Sequence, residues 1–361
     1  MPVNNYIPLL TAFVISIIST PLVIAWYTKK KWIEQPSTKH PKIIHKTPVP
    51  RGGGIAIFCS VAISSLLFLP IDQHLVGILI GGAILMITGI VDDIFDIHPK
   101  IRLGLGFLAS TTVILSGIGI PYITNPFSPE VIHLDQPQLP IKLFGEVRNI
   151  WILADLFALF WITGIMNFVN WSKGLDGQLP GMVGIAAMTI AFLSMTFSAD
   201  ITQWSTTGLA LIVAGAYFGF LLFNAYPQKI MPGYGGGALA GYFLAVLSIL
   251  STTKVGTLLV VLGIPLIDAG FVILRRIRAG QSPIWGDTRH LHHALLSLGW
   301  SKRKVAAFYW IITGALGYAA LHLNSQQKFY TILLIIITLF AFILWIKQYT
   351  ISSKQLDQDN G

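Results

Sequence analysis

Cysteine is almost absent. Cys59 stands alone inside an apolar run, so no intrachain disulfide and no Cys-based metal site can form, and the lone thiol says nothing of redox compartment. Charge is scarce too: 11% of the 361 residues are Asp, Glu, Lys or Arg, against 54% hydrophobic residues and a mean hydropathy of +0.70. That balance excludes the usual division of a water-soluble chain into apolar core and charged surface. Only short polar connectors separate the apolar stretches, so a single domain spanning 1–361 is expected. Acidic residues number 15 against 24 Lys and Arg, a net charge of +9. The basic residues flank apolar runs instead of studding an aromatic-rich surface, which points away from nucleic acid and towards membrane lipid and phosphate-bearing substrates. No internal repeat or low-complexity tract is present, and the polar tail from about 348 to 361 is expected to be disordered.

What is present is apolar length. Eleven runs, at about 6–28, 53–71, 75–91, 103–121, 150–170, 180–198, 208–224, 237–251, 257–274, 305–323 and 330–347, predict an all-α polytopic transmembrane bundle of about 11 spans. The runs at 75–91 and 237–251 are shorter than the roughly 20 residues that normally cross the hydrocarbon, which leaves re-entrant segments open there. The first run follows a neutral start and precedes Lys29, Lys30 and Lys31, the reverse of a signal peptide's charge order, and is expected to be a retained span. Summed over alternate connectors, 20 of the 24 Lys and Arg fall on the side of the first and ninth connectors. This places the N-terminus outside and the C-terminus in the cytoplasm. The outer loop 122–149, rich in proline, predicts irregular polar structure with short strands.

Four clusters stand out against this apolar background. Asp92, Asp93, Asp96, Lys100 and Arg102 crowd the inner end of the third span. Adjacent carboxylates near lipid require compensation, either by a divalent cation that completes its shell with phosphate oxygens or by the neighbouring Lys100 and Arg102. Asn167 and Asn170 share a helical face before Lys173, Gly174, Asp176 and Gly177, where backbone donors near an anion compete with plain capping and turn formation as explanations. Gly233, Tyr234, Gly235, Gly236 and Gly237 open the eighth span and suit either phosphate or close helix packing. The long inner loop carries Asp268 upstream, Arg275, Arg276 and Arg278, then Asp287, Arg289, His290, His292 and His293. Zinc is the weaker reading there, because no second ligand cluster completes a site. Hydrogen bonding to phosphate or sugar hydroxyls and a solvated inside-positive loop both remain open.

In this order, with His45 and the run Pro48-Val-Pro50-Arg51-Gly52-Gly53-Gly54 ahead of the second span, the clusters resemble the polyprenyl-phosphate N-acetylhexosamine-1-phosphate transferases over about residues 40–300. These are relatives of phospho-N-acetylmuramoyl-pentapeptide transferase. The resemblance implies a bundle of ten or eleven helices with a cytoplasmic groove. The reaction it implies moves a sugar 1-phosphate from a UDP-sugar, UDP-N-acetylglucosamine being typical, to polyprenyl phosphate and releases UMP. That is the first membrane step of cell-envelope polysaccharide or glycoconjugate synthesis, at the inner (plasma) membrane. It further implies Mg²⁺, or Mn²⁺ in its place, held by Asp92, Asp93 and Asp176 as the catalytic carboxylates. Substrate contacts are implied for His45, Arg51, Lys100, Asn167, Asn170, Lys173, Arg289, His290, His292 and His293, and a homodimer is compatible.

Three departures bear on this. Lys173 stands where the family motif Asn-x-x-Asn-x-x-Asp-Gly-x-Asp-Gly has its first Asp, Tyr234 is read in place of the aspartate of Met-Gly-Asp-x-Gly-Ser, and Arg289 is displaced by one residue in the histidine motif. Two outcomes follow: a site rebuilt around Lys173, or a chain that binds lipid phosphate or nucleotide without turnover. Transport is disfavoured, because only Asp155 and Asp268 lie well within apolar runs.

Overall fold

A computed structural model describes residues 6–35, 48–128, 130–143, 146–196, 202–251, 254–282 and 290–359. Helix α1 (Ile7–Lys30) has a proline in its first turn and ends in a left-handed Lys31, with Lys29 and Lys30 set against the negative end of its dipole. A two-stranded ribbon, β1 (Ile33–Glu34) with β2 (Val49–Pro50), brings the chain back to α2 (Gly53–Phe68). Asp72 caps α3 (Gln73–Phe95) by accepting from the Leu75 amide at 2.8 Å, and Pro99 opens α4 (Pro99–Leu115).

Two antiparallel hairpins follow, β3 (Tyr122–Thr124) with β4 (Val131–His133) and β5 (Gln138–Leu143) with β6 (Glu146–Trp151). They are the short strands expected of the outer loop, so the fold is a helical bundle with small ribbons rather than purely α. Beyond them run α5 (Ile152–Trp171), α6 (Gln178–Thr196), α7 (Thr202–Asn224), α8 (Gly233–Leu250), α9 (Lys254–Val261), α10 (Gly263–Arg278), the short α11 (Leu291–Ser297), α12 (Lys302–His322) and α13 (Ser325–Asp359). Helix α13 is assigned to Asp359, past the point where the tail was expected to fray.

Helices fall at all eleven expected positions. Among the described residues eight are long and apolar enough to cross a membrane, or nine if the bent pair α9 and α10 counts as one. The remaining two, α2 and α4, have 16 and 17 residues. The runs feared too short, in α3 and α8, are unbroken helices of 23 and 18 residues. The interruption falls instead in the run 257–274, expected to be one span, where the chain bends by 85° between α9 and α10. Pro265 is the reason: its ring cannot coexist with the Val261 carbonyl of a continuous helix and it offers no amide, so a new helix starts at Gly263.

Helix α8 is the buried axis of the bundle, enclosed by α2, α3, α5, α6 and α9, while α1 packs on α7 and α2, and α6 on α7 and α12. Its glycines let backbones touch. A methyl group on Gly89 would lie 2.5 Å from the Gly235 Cα, and one on Gly54 would lie 2.6 Å from the Gly236 amide nitrogen, so α2, α3 and α8 meet with no side chain between them. Polar cross-links add to this seam, with Tyr217 donating to the Gly236 carbonyl at 2.8 Å and Tyr242 to that of Ile78 at 2.9 Å. Outward-facing Ile18, Leu22, Leu67, Ile87 and Ile337 are exposed, as a lipid-facing surface requires. The last turns of α1, α3 and α5 and the first turns of α2, α4 and α8 converge at one end of the bundle, and that is where the charged side chains gather.

Candidate active site

Asp92 and Asp93, in the last turn of α3, form the centre. Asp92 is fully buried, and Arg102 from α4 grips both its oxygens, at 2.8 and 3.1 Å. Arg51, on the turn before α2, lies 3.8 Å from Asp92 Oδ2, 3.6 Å from Asp93 Oδ1 and 3.5 Å from Glu34 Oε1. Tyr27 from α1 donates to Asp93 Oδ2 at 3.2 Å. Tyr234, buried in the first turn of α8, lies between two cations: Arg102 Cζ is 5.3 Å and Lys173 Nζ 5.7 Å from its ring centroid. Its hydroxyl donates to the Arg102 carbonyl at 3.3 Å.

The loop after α5 ties the remaining motifs to this centre. Lys173 reaches across to the Gly233 carbonyl, Nζ to O 3.0 Å. Desolvation first, then the Arg51 guanidinium, pushes its ammonium down to about 7, against the opposing pull of Asp92. Asn170 is buried against Gly237, and among the described residues its Oδ1 meets no hydrogen-bond donor, as is true of Asp93 Oδ1. Two buried oxygens therefore face the first turns of α8 without a donor. Gly174 leaves room for the imidazole of His292, whose Nε2 a methyl group there would strike. Asp176 is held by Lys302 from the start of α12, Nζ to Oδ1 3.1 Å, and by the Gln228 amide at 3.3 Å, while Gly177 donates to Asn224 Oδ1 at 3.0 Å.

The histidines stack beside that loop. His290 and His292 lie ring over ring at 5.6 Å, and His293 packs on His292 at 4.3 Å. Asp268, on α10, accepts from the Leu291 amide and bonds His290 Nδ1, both at 2.9 Å, so His290 has a fixed orientation. Burial, with His293 and then His290 nearby, pushes His292 well below the ordinary imidazole range. The three imidazoles thus adjoin the 172–177 loop, which in turn touches the Asp92 and Asp93 cluster through Lys173.

Not every expected residue joins the cluster. Asn167 turns its side-chain amide back to the Thr163 carbonyl, one turn earlier in α5, at 2.8 Å, and Lys100 is exposed on the first turn of α4. His45 and Arg289 lie outside the described residues. Five participants were not singled out as site residues: Tyr27, Glu34, Arg102, Asp268 and Lys302. Arg102 and Asp268 had been noted as cluster neighbours. Lys302 belongs to a basic run that reads as an orientation signal, and nothing local marks Tyr27 or Glu34.

The expected metal triad does not assemble. Hard oxygen donors suit Mg²⁺ in kind. Yet both Asp92 oxygens are taken by Arg102, Asp93 is shared by Arg51 and Tyr27, and Asp176 is committed to Lys302. No group of three His, Cys, Asp or Glu among the described residues is placed to hold an ion. Tyr234, read in place of the aspartate of Met-Gly-Asp-x-Gly-Ser, has Gly233 before it and Gly236 two places after it, the glycine spacing of that motif. At Gly233 a methyl group would lie 2.2 Å from the Arg51 carbonyl oxygen and 3.0 Å from Asp93 Oδ1, so this turn has no room for a side chain. Residues of this composition do not fit a divalent ion.

A buried carboxylate pair at one end of a helical bundle, ringed by guanidinium, ammonium and imidazole groups, defines a membrane protein built to handle phosphate. Comparison with known proteins gives the class a name. Residues 75–252 match the profile of glycosyl transferase family 4. The chain is 28% identical over 345 residues to a probable undecaprenyl-phosphate N-acetylglucosaminyl 1-phosphate transferase of Bacillus subtilis, covering 92% of this chain and 90% of that protein. It is 27% identical to a decaprenyl-phosphate N-acetylglucosaminephosphotransferase of Mycobacterium leprae, covering 86% and 81%. It is 30% identical to a phospho-N-acetylmuramoyl-pentapeptide-transferase of a Geobacillus strain, covering 84% and 93%. The chain belongs to this family of phospho-sugar transferases.

Proposed function

We propose that the protein transfers a sugar 1-phosphate, N-acetylhexosamine 1-phosphate being the natural choice, from a UDP-sugar to polyprenyl phosphate and releases UMP, as the first membrane step of cell-envelope polysaccharide or glycoconjugate synthesis. One observation carries the reading: Arg51, Asp92, Asp93, Arg102, Asn170 and Lys173, drawn from three separate stretches of the sequence, meet at a single place. In this reading the chain crosses the plasma membrane at the eleven helical positions, with α9 and α10 as one bent crossing. The N-terminus lies outside and the C-terminus and site in the cytoplasm, as the distribution of Lys and Arg favours.

An oxygen of the lipid phosphate attacks the phosphorus bonded to the sugar. A new P–O bond forms as the bond to the bridging oxygen breaks, and UMP leaves with the electron pair. The lipid phosphate is largely dianionic near neutral pH, its second pKa being about 6, so no proton need be removed and no strong base is required. The chain's work is alignment and neutralisation of charge. Arg51 and Arg102 are anchored by Asp92 and Asp93 and present their remaining donors to phosphate oxygens. His290, oriented by Asp268, contacts the sugar nucleotide together with His292 and His293, and Asn170 offers its free oxygen to a hydroxyl or amide donor. The Mg²⁺ or Mn²⁺ of the resemblance is not built into this reading.

The test is UMP release by the purified protein from UDP-N-acetylglucosamine and undecaprenyl phosphate, followed with and without added divalent ions. Release coupled to formation of the lipid diphosphate sugar is the expected result. No release with any UDP-hexosamine under either condition overturns the reading.

A further inference from the structure

Lys173 and Tyr234, the two positions where the resemblance implies aspartates that this chain lacks, lie side by side, with Lys173 Nζ 5.7 Å from the Tyr234 ring centroid. Lys173 Nζ donates to the Gly233 carbonyl at 3.0 Å, and Gly233 faces Asp93 Oδ1. The seat for the lysine is shaped by glycines. Its stem passes Gly237, where a methyl group would lie 3.1 Å from Lys173 Cδ, and Gly233 has a φ of 64°, a left-handed conformation that disfavours any side chain. The charges follow the same logic. Lys in place of Asp adds two unit charges and a neutral Tyr in place of Asp adds one, more than the two that a divalent ion supplies. The Asp92 and Asp93 carboxylates favour the charged form of the ammonium against the like charges of Arg51 and Arg102.

We propose that Lys173 takes the place of the divalent metal ion: its ammonium, seated on the first turn of α8 beside Asp93, neutralises the diphosphate of the sugar nucleotide, and transfer proceeds with no bound divalent cation. This rests on the transferase reading and concerns only how that site balances charge. Lys173 acts on the phosphate oxygens directly, while Gly233 and Gly237 act by leaving it room.

Two measurements test it on the full-length protein in detergent. In the first, UMP release is followed in excess EDTA and in excess Mg²⁺; rates within about twofold of each other are expected, with a loss of at least about a hundredfold in Lys173→Met and partial recovery in Lys173→Arg. Loss of release in EDTA with recovery on adding Mg²⁺ overturns the proposal. In the second, Mn²⁺ is titrated into the protein without substrates and the free-ion signal is followed by electron paramagnetic resonance. Wild type is expected to leave that signal intact, whereas the double variant Lys173→Asp, Tyr234→Asp should remove about one equivalent. Stoichiometric uptake of Mn²⁺ by wild type overturns the proposal even if the double variant does not fold. Because this second measurement needs no turnover, it decides the metal question separately from the transferase reading, which fails only if no UMP appears under any condition.

Discussion

Replacing Gly89 by alanine should disable the site from a position that touches none of its charged groups. The added methyl would sit 2.5 Å from the Gly235 Cα, whereas ordinary contact begins at 3.4 Å, so α3 and α8 must part by about 1 Å. The obstacle is backbone on both sides, and no rotamer change relieves it. Asp92 and Asp93 follow three and four residues later on α3, one turn beyond the contact, and Arg102 holds Asp92 by bonds of 2.8 and 3.1 Å. Misplacing a reacting constellation by about 1 Å can lower the rate about a hundredfold, which corresponds to about 2.7 kcal/mol in the barrier. Overpacking should lower folding stability by about 1–3 kcal/mol. The assay is kcat/KM for UMP release beside thermal unfolding in detergent, with Gly104→Ala as the comparison. Among the described residues no atom lies within 4 Å of the Gly104 methyl position, so that variant should stay near wild type in both. Wild-type turnover by a folded Gly89→Ala protein would refute the claim that the glycine contact sets the position of the carboxylate pair.

Arg102→Met leaves the fully buried Asp92 with Arg51 at 3.8 Å as its remaining ion-pair partner among the described residues and should destabilise the fold by about 3–5 kcal/mol, while Lys100→Met on the exposed side of the same turn should change it by less than about 0.5 kcal/mol. Thermal unfolding of both variants checks this. His292 is pushed below its ordinary 6.5, so once pH falls under that value the unfolded chain takes up a proton that the folded chain refuses. Melting temperature should therefore fall as pH drops below about 6.5, and fall less in His292→Gln. Asp268→Asn breaks a buried charge-assisted bond to His290 and should raise the KM for the UDP-sugar by about tenfold or more; an unchanged KM in a folded variant would exclude His290 from nucleotide binding.

Apolar length revealed the position of every long helix, because a bilayer permits few alternatives to about 20 satisfied, apolar residues in a row. It was blind to direction. The run 257–274 has the composition of one span, and the turn at Pro265 costs it nothing in hydropathy, so the bend was not visible in that measure. Motif spacing located Asp92, Asp93, Asn170 and Lys173, whose neighbours are local or nearly so. The partners that complete them were hidden. Tyr27 lies 66 residues from Asp93 and Lys302 lies 126 from Asp176, and packing of distant helices selects them rather than any local pattern. Lys302 was read only as one of several positive charges, although its carboxylate partner makes it individual.

Strand β6 runs into α5 with no connector, so that helix works as a ruler between the two faces of the protein. Its 20 residues measure about 30 Å, the depth of a bilayer's oily layer, with a hairpin fixed at one end and Lys173 just past the other. A rigid gauge of that length sets the height of the catalytic loop relative to the plane of the lipid headgroups. Turnover in vesicles should accordingly peak with acyl chains of matching length and decline in both shorter and longer ones, as the phosphate of the lipid substrate rises above or sinks below the residues that await it.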